Sequence, residues 1–317
     1  VDRGASWTGY DTGISNTAYS VKFFDDSVGV LVGSSGKVWW SFNGGKEWVK
    51  RGSTNVKSSL VSVDVATELG MHAWVVGQGG TILYSNGLGT RWTQQDTSND
   101  GTYLTAVDFV TKDIGWAVGI SGKIKHTVNG ASDTAKWNDQ ISSTKAELTE
   151  LFFISERVGW IVGDSGAVLY TNSAGDEWTK RPSQVKCKLY GVSFIDENNG
   201  VVVGDSGTVL HTIDGGRTWI RENCPEMGVL SKVFYRNLED CWAIGLHSGN
   251  LYYSHGELTL TSPNGGEAWE GGKAQSVTWN SRYVDRIKIE YSTDNGQTWD
   301  FLSPGAKDVD ATMGSYT

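Results

Sequence analysis

The sequence predicts an all-β chain: a six-bladed β-propeller closed by its N-terminal strand, followed by a β-sandwich. Three observations carry that expectation. A glycine closing a hydrophobic run recurs at Gly33, Gly77, Gly119, Gly163, Gly204 and Gly245, at intervals of 41 to 44 residues. Ahead of each stands a run of the form L-x-x-V-x-F, and behind each a glycine turn leads into G-x-(V/I/L)-x-(aromatic)-(S/T). A tryptophan then opens one more short strand, at Trp7, Trp48, Trp92, Trp137, Trp178 and Trp219. Four β-rich runs per repeat, set off by Gly, Asn, Asp and Ser turns, is the pattern of a propeller blade.

Taken in order, the first runs read AYSVKF (18–23), LVSVDV (60–65), LTAVDF (104–109), LTELFF (148–153), LYGVSF (189–194) and LSKVFY (230–235). Their polar positions Lys22, Asp64, Asp108, Glu150 and Lys232 are expected to line the central channel. The second and third runs make a hairpin whose aromatic column holds Trp40, Tyr84, His126, Tyr170, His211 and Tyr253. His126 and His211 therefore read as packing residues with a polar tip, and His72 has no evident partner. The chain opens on a lone tryptophan strand, VDRGASW, and its last hairpin, GNLYYS (249–254), lacks one. Joined, those ends complete one blade, whereas a further hairpin ahead of Val1 would give a seven-bladed ring. The propeller is thus expected over 1–255. Beyond it, over 257–317, the alternating runs LTLT, SVTW and IKIEYS with Pro-Asn-Gly-Gly and Asp-Asn-Gly turns read as a sandwich.

Composition narrows the function classes. With 317 residues, roughly three quarters of the unfolded chain's surface can be buried. A formal net charge of −9 argues against nucleic acid, whose phosphates need clustered Lys and Arg. No run reaches the roughly 18 apolar residues that span a bilayer. H-E-x-x-H, C-x-x-C, nucleophile-elbow and phosphate-loop patterns are absent from the sequence, so neither cofactor nor metal is expected. Cys187 and Cys224 both precede inner strands of adjacent blades and form a candidate disulfide. Cys241 replaces the first glycine of a GWxVG hairpin and reads as a buried free thiol.

Ahead of the tryptophans lies a turn that resembles the Asp-box, or BNR repeat, S-x-D-x-G-x-T-W. Thr212, Asp214, Gly216 and Trp219 fit it; Ser41, Asn43, Gly45 and Trp48 fit it with Asn in the acid's slot. Asp2, Gly4 and Trp7 match its later positions, and Ser292, Asp294, Gly296 and Trp299 form a copy in the C-terminal piece. In such a turn the carboxylate accepts backbone N–H groups, glycine supplies φ > 0, and the indole packs over the sheet. Gly87 and Ser173 replace the acid elsewhere, and TVNGASDTAKW carries an insertion, a decay that suits a structural turn and not a catalytic group. The combined GWxVGxxGxIxxTxDGGxTW pattern, over 1–255, resembles the photosystem II assembly factors and their bacterial relatives. That resemblance implies a noncatalytic protein-binding propeller. Residues 257–317, through SPNGGEAWEGG, VTW and IEYSTDNGQTW, resemble an immunoglobulin-like module of large secreted bacterial proteins. It implies an extracellular or cell-surface setting, with further domains of the same polypeptide, the more so because the chain stops at GSYT where that module continues.

Asp-boxes also occur in sialidases, so a carbohydrate-active propeller, glycan-binding or hydrolytic, is the alternative. A sialidase-like site needs three arginines converging on the axis. Here Arg3, Arg51, Arg91, Arg181, Arg217 and Arg221 flank the tryptophan strands instead. Asp164 and Asp205, in equivalent GDSG turns, are the obvious carboxylate pair, yet Ser34, Gln78 and Ile120 fill the same slot in other blades. An enzyme is therefore not expected. A protein or glycan partner is expected on the face carrying the blade-to-blade loops, among them NDQISSTKAE (138–147) and KRPSQVKCK (180–188), with Gln78, Tyr103, Asp164, Asp205 and His247 as candidate contacts.

Overall fold

Five four-stranded antiparallel sheets follow one another along the chain in the computed structural model, which describes residues 8–95, 101–222, 224, 228–237, 240–246, 251–254, 257–263, 274–282, 286–292, 297–307 and 309–317. The first sheet holds β1 (Ala18–Phe23), β2 (Gly29–Gly33), β3 (Val38–Ser41) and β4 (Val49–Lys50). The second holds β5 (Leu60–Ala66), β6 (His72–Gly77), β7 (Ile82–Asn86) and β8 (Thr93–Gln94). The third holds β9 (Leu104–Phe109), β10 (Gly115–Gly119), β11 (Ile124–Thr127) and β12 (Asn138–Gln140). The fourth is β13 (Leu148–Phe153), β14 (Gly159–Gly163), β15 (Val168–Thr171) and β16 (Thr179–Lys180). The fifth is β17 (Leu189–Phe194), β18 (Gly200–Gly204), β19 (Val209–Thr212) and β20 (Ile220–Arg221). A three-stranded sheet follows, of β21 (Leu230–Asn237), β22 (Asp240–Gly245) and β23 (Leu251–Ser254). Each four-stranded sheet is a meander in strand order, so the chain builds an all-β propeller. Asp2, Gly4 and Trp7, with the strand expected to close the ring, lie outside the described residues.

Glycine stands at both ends of the second strand for two different steric reasons. At Gly29, Gly115, Gly159 and Gly200 a Cβ would come within 2.2 to 2.7 Å of the rings of Phe23, Phe109, Phe153 and Phe194. At Gly33, Gly77, Gly119, Gly163 and Gly204 it would come within 2.1 to 2.4 Å of the carbonyl oxygen just ahead of the inner strand. The first set of contacts lets the ring lie flat and reach the preceding sheet. Phe109 stacks on Trp74 with centroids 3.8 Å apart, and Phe153 on Trp116 and Phe194 on Trp160 at 3.6 Å. Each ring also meets, edge-on, the tryptophan opening its own sheet's last strand, Trp137, Trp178 or Trp219. The stacked indoles donate to turn carbonyls of the next sheet: Trp74 to Gly130 (3.0 Å), Trp116 to Ala174 (3.2 Å) and Trp160 to Gly215 (3.1 Å). Apolar burial and a satisfied indole N–H thus come from one residue.

By contact the chain divides into two units, Val1–Val233 with Gly245–Ser248, and Phe234–Ile244 with Gly249–Thr317. The division falls within β21, and the C-terminal sheets after β23 belong to the second unit. Those sheets contain β24 (Glu257–Ser262), β25 (Val277–Arg282), β26 (Arg286–Ile287), β27 (Glu290–Tyr291), β28 (Asp300–Phe301), β29 (Val309–Asp310) and β30 (Ser315–Tyr316). They pair as β24-β25-β30, β26-β29 and β27-β28. Their core is Val277, Trp279 and Val309, with Ile287, Ile289 and Tyr316 packed against it. Trp279 donates its indole N–H to the Ala311 carbonyl at 2.7 Å. Of the turn copy in this unit, Asp294 and Gly296 lie outside the described residues, and Trp299 is 60% exposed. Among the described residues of these sheets, Trp279 and not Trp299 is the buried indole.

Candidate functional site

The inner strands carry a repeated bulge. Pairing with the second strand skips one residue near the start of β1, β5, β9, β13 and β17, leaving Tyr19, Val61, Thr105, Thr149 and Tyr190 out of register. A bulge re-aims a side chain, and here it aims Thr105 and Thr149 across to the next sheet. Their hydroxyls donate to the carbonyls of Leu148 and Leu189, at 2.5 Å each. Further along the same strands, Ser20 and Ser62 accept the N–H of Val63 and Val107. Asp64 accepts the Phe109 N–H at 2.6 Å, and Asp108 the Phe153 N–H at 2.7 Å. An inner strand is a sheet edge whose free N–H and C=O groups need partners. Side chains of the preceding blade supply them.

The polar positions expected in the channel come together as a charged hub. Lys22 Nζ lies 2.9 Å from Asp64, and Lys232 pairs with Glu150. The field of Asp64 holds the Lys22 ammonium above its usual range against the cost of burial, helped by Asp108. Burial pushes the Asp108 carboxyl up to about 7; the charge of Asp64 adds to this, while Lys22 and the Phe153 N–H oppose it. Burial and the nearby Lys22 pull Lys232 down to about 8, even with Glu150 beside it.

Around the same strands' N-terminal ends runs a rim of tyrosines and charges. Lys188 Nζ pairs with Glu147 at 2.6 Å and sits 5.4 Å from the Tyr190 ring centroid. Burial would lower the Lys188 ammonium, but Glu147 outweighs it and holds it up. Burial also raises the hydroxyls of Tyr103, which faces Tyr19, Glu147 and Lys188, and of Tyr190, which hydrogen-bonds with Asp205. Of the expected contacts, Tyr103 and Asp205 join this rim. Asp164 turns back on its own loop, accepting the Ser165 N–H at 2.7 Å. Gln78 accepts the Ser59 N–H at 3.3 Å, and His247 lies outside the described residues. The Glu147–Lys188 pair escapes sequence reasoning, although both occupy one slot, immediately before the inner run.

The turns ahead of the tryptophans show why their residues recur. Thr212 accepts the Gly216 N–H at 2.8 Å and donates to Asp214, which accepts the Thr218 N–H and hydroxyl at 2.9 and 2.6 Å. Burial raises the Asp214 carboxyl, but those bonds outweigh it and leave it below its usual range. Ser41 and Asn43 repeat the pattern toward Gly45 and Glu47, and Ser173 repeats it toward Glu177 with a hydroxyl. Asn129 spans the insertion, accepting the Lys136 N–H. Gln95 and Gln140, not anticipated from sequence, reach from the end of the last strand of their own sheet to both the tryptophan and the turn of the next sheet. Each accepts from Trp137 or Trp178 and donates to Gly130 or Ala174. Their signal is the spacing W-x-x-Q.

The remaining candidates are structural in place. His126 stacks on Trp116 at 4.6 Å and burial lowers its imidazole below the usual range; His72, for which no partner was expected, bonds the Tyr84 hydroxyl at 2.8 Å. The Cys187–Cys224 disulfide is not formed, and all three cysteines are free. Cys187 instead faces Thr208 of its own sheet, Sγ to Oγ1 3.3 Å. Burial pushes the Cys241 thiol up to about 12. Among the described residues, no group of His, Cys, Asp and Glu is arranged to hold a metal, and no helix is long and apolar enough to cross a membrane.

Comparison with known proteins places this architecture. YCF48 from Cyanidioschyzon merolae is 18% identical, with 79% of this chain and 99% of that one covered and a TM-score of 0.46. A structure of YCF48 bound to D1 peptide is 16% identical over 77% of this chain and 95% of that one, TM-score 0.45. The RRP9 WD40 repeats share 13% identity over 76% and 77%, TM-score 0.62, a likeness of fold alone. No curated protein matches the chain. The family described as photosynthesis system II assembly factor YCF48 matches residues 2–100 and 128–277, well over half of the sequence. The chain belongs to that family.

Proposed function

We propose that this chain is a noncatalytic propeller that binds a protein partner, as an assembly or interaction module. The observation that carries the reading is the use made of the hub carboxylates. Asp64 and Asp108 both accept backbone N–H groups of the next blade, from Phe109 and Phe153, and so are engaged in holding it. Asp164 likewise serves its own turn. Family membership supports a protein partner, and one solved YCF48 carries a D1 peptide. The finer parts of the proposal are six blades with the N-terminal strand completing the last sheet, an immunoglobulin-like fold for 257–317, and an exported bacterial setting. The run of five four-stranded sheets followed by a three-stranded one supports the count. The resemblance of residues 257–317 to a module of large secreted bacterial proteins supports the setting.

Crosslinking capture with the purified chain, run beside a glycoside hydrolase panel, tests the reading. A specific captured protein and no turnover above background are expected. Turnover abolished by Asp108→Asn, Asp164→Asn or Asp205→Asn would overturn it.

A further inference from the structure

Two loops expected on the ligand face, 138–147 and 180–188, enclose a groove. One cavity of about 470 Å³ is lined by Asp164, Lys180 and Arg181, and an adjoining one of about 610 Å³ by Ile141, Lys145 and Lys180. Thr144 and Lys180 border both, so the two are continuous. Three cations face one carboxylate here, in a chain of net charge −9. Lys145 and Lys180 are exposed. The Arg181 guanidinium lies 4.4 Å from the Tyr170 ring centroid, and its Nε is buried without a hydrogen-bond partner, while burial and then the charge of Arg217 pull the group below its usual range, opposed by Tyr170 and Asp214. Ile141, 84% exposed, adds an apolar contact on one wall.

The walls are fixed in advance. Ser183 donates to the Gly166 carbonyl at 2.7 Å, the Gly166 N–H to the Cys187 carbonyl at 2.7 Å, and the Gly122 N–H to the Ala146 carbonyl at 2.8 Å. Ser143 and Gln184 hold φ of 56° and 61° at the loop tips. A rigid, locally cationic groove longer than one side chain favours an extended anionic ligand, at little ordering cost to the protein. Nucleic acid fits less well, because its phosphates follow one another at every nucleotide and need more clustered Lys and Arg than the three cations lining this groove.

We infer that the groove between residues 140–146 and 180–185 docks an acidic peptide segment. The inference rests on the protein-binding reading and names its partner chemistry. The test is fluorescence anisotropy with a short labelled peptide of alternating Glu and Leu, beside its Gln and Lys counterparts and a single-stranded oligonucleotide. The Glu peptide is expected to bind best, and added salt to weaken it. Lys145→Glu with Lys180→Glu should weaken it about tenfold or more, while Lys46→Glu with Lys136→Glu, the same change of charge on exposed turn residues elsewhere, should change it less than about twofold. Equal binding of the Gln peptide, preference for the Lys peptide or the oligonucleotide, or equal effects of the two variant pairs would overturn the inference. If wild type and the Lys145/Lys180 variant capture the same protein equally, the groove assignment falls while the protein-binding reading stands. If neither captures one, the reading itself falls.

Discussion

Asp108 is held up to about 7, chiefly by burial and then by Asp64. A carboxyl raised in the folded state gives stability that is complete below its unfolded value, near 3.8, and is lost as pH rises through 7. Stability should therefore decline between about pH 4 and pH 7. Asp108→Asn, which keeps an acceptor for the Phe153 N–H, should flatten that decline and stabilise the chain above pH 7, as urea unfolding across pH would show. Asp214 has the opposite sign: its lowered carboxyl stabilises above its ordinary value, and that stability is lost as pH falls below it. Asp214→Ala should cost about 0.5–1.5 kcal/mol, the net worth of hydrogen bonds whose exposed Thr218 donors can turn to water. Asp214→Asn should cost less, since Asn43 already makes the equivalent bond to Glu47 in the first sheet. At this scale the turns were legible, because their chemistry is local in sequence. The bonds of Thr105, Thr149, Asp64 and Asp108 were not, because each joins residues 40 to 45 apart across two sheets.

Within and between blades, the Phe–Gly–Trp wedge sets the spacing. Where a second strand carries tryptophan, the next inner strand carries the phenylalanine that stacks on it; where β2 carries Val30, β5 carries Val65, and the small partner facing it is Ala73 rather than glycine. The second sheet is thus a natural control for the others. Phe153→Ala should cost about 3–5 kcal/mol by opening a cavity under Trp116 and Trp178. Gly159→Ala should cost about 1–3 kcal/mol, its Cβ meeting the Phe153 ring. Combined with Phe153→Val it should cost at least about 1 kcal/mol less than the two changes summed, by chemical denaturation. The columns of Gly, Trp and Phe made the strands readable, since each column is one steric contact repeated. The bulges were not readable, because Thr149 looks like any strand residue until its pairing is known.

For the whole molecule, the repeat revealed the blades. Loop sequences told which segments were free to vary, but the groove at Lys145 and Lys180 needed two loops to be brought side by side. Polar side chains of each blade complete the inner edge of the next, which on our proposal leaves the loop face for a partner. Residue-resolved amide exchange in the Asp64→Ala variant tests this edge completion most directly. Loss of the acceptor should speed exchange at the Phe109 amide, with protection at Phe153 retained through Asp108. Unchanged protection at Phe109, or a uniform loss across every sheet, would contradict the claim.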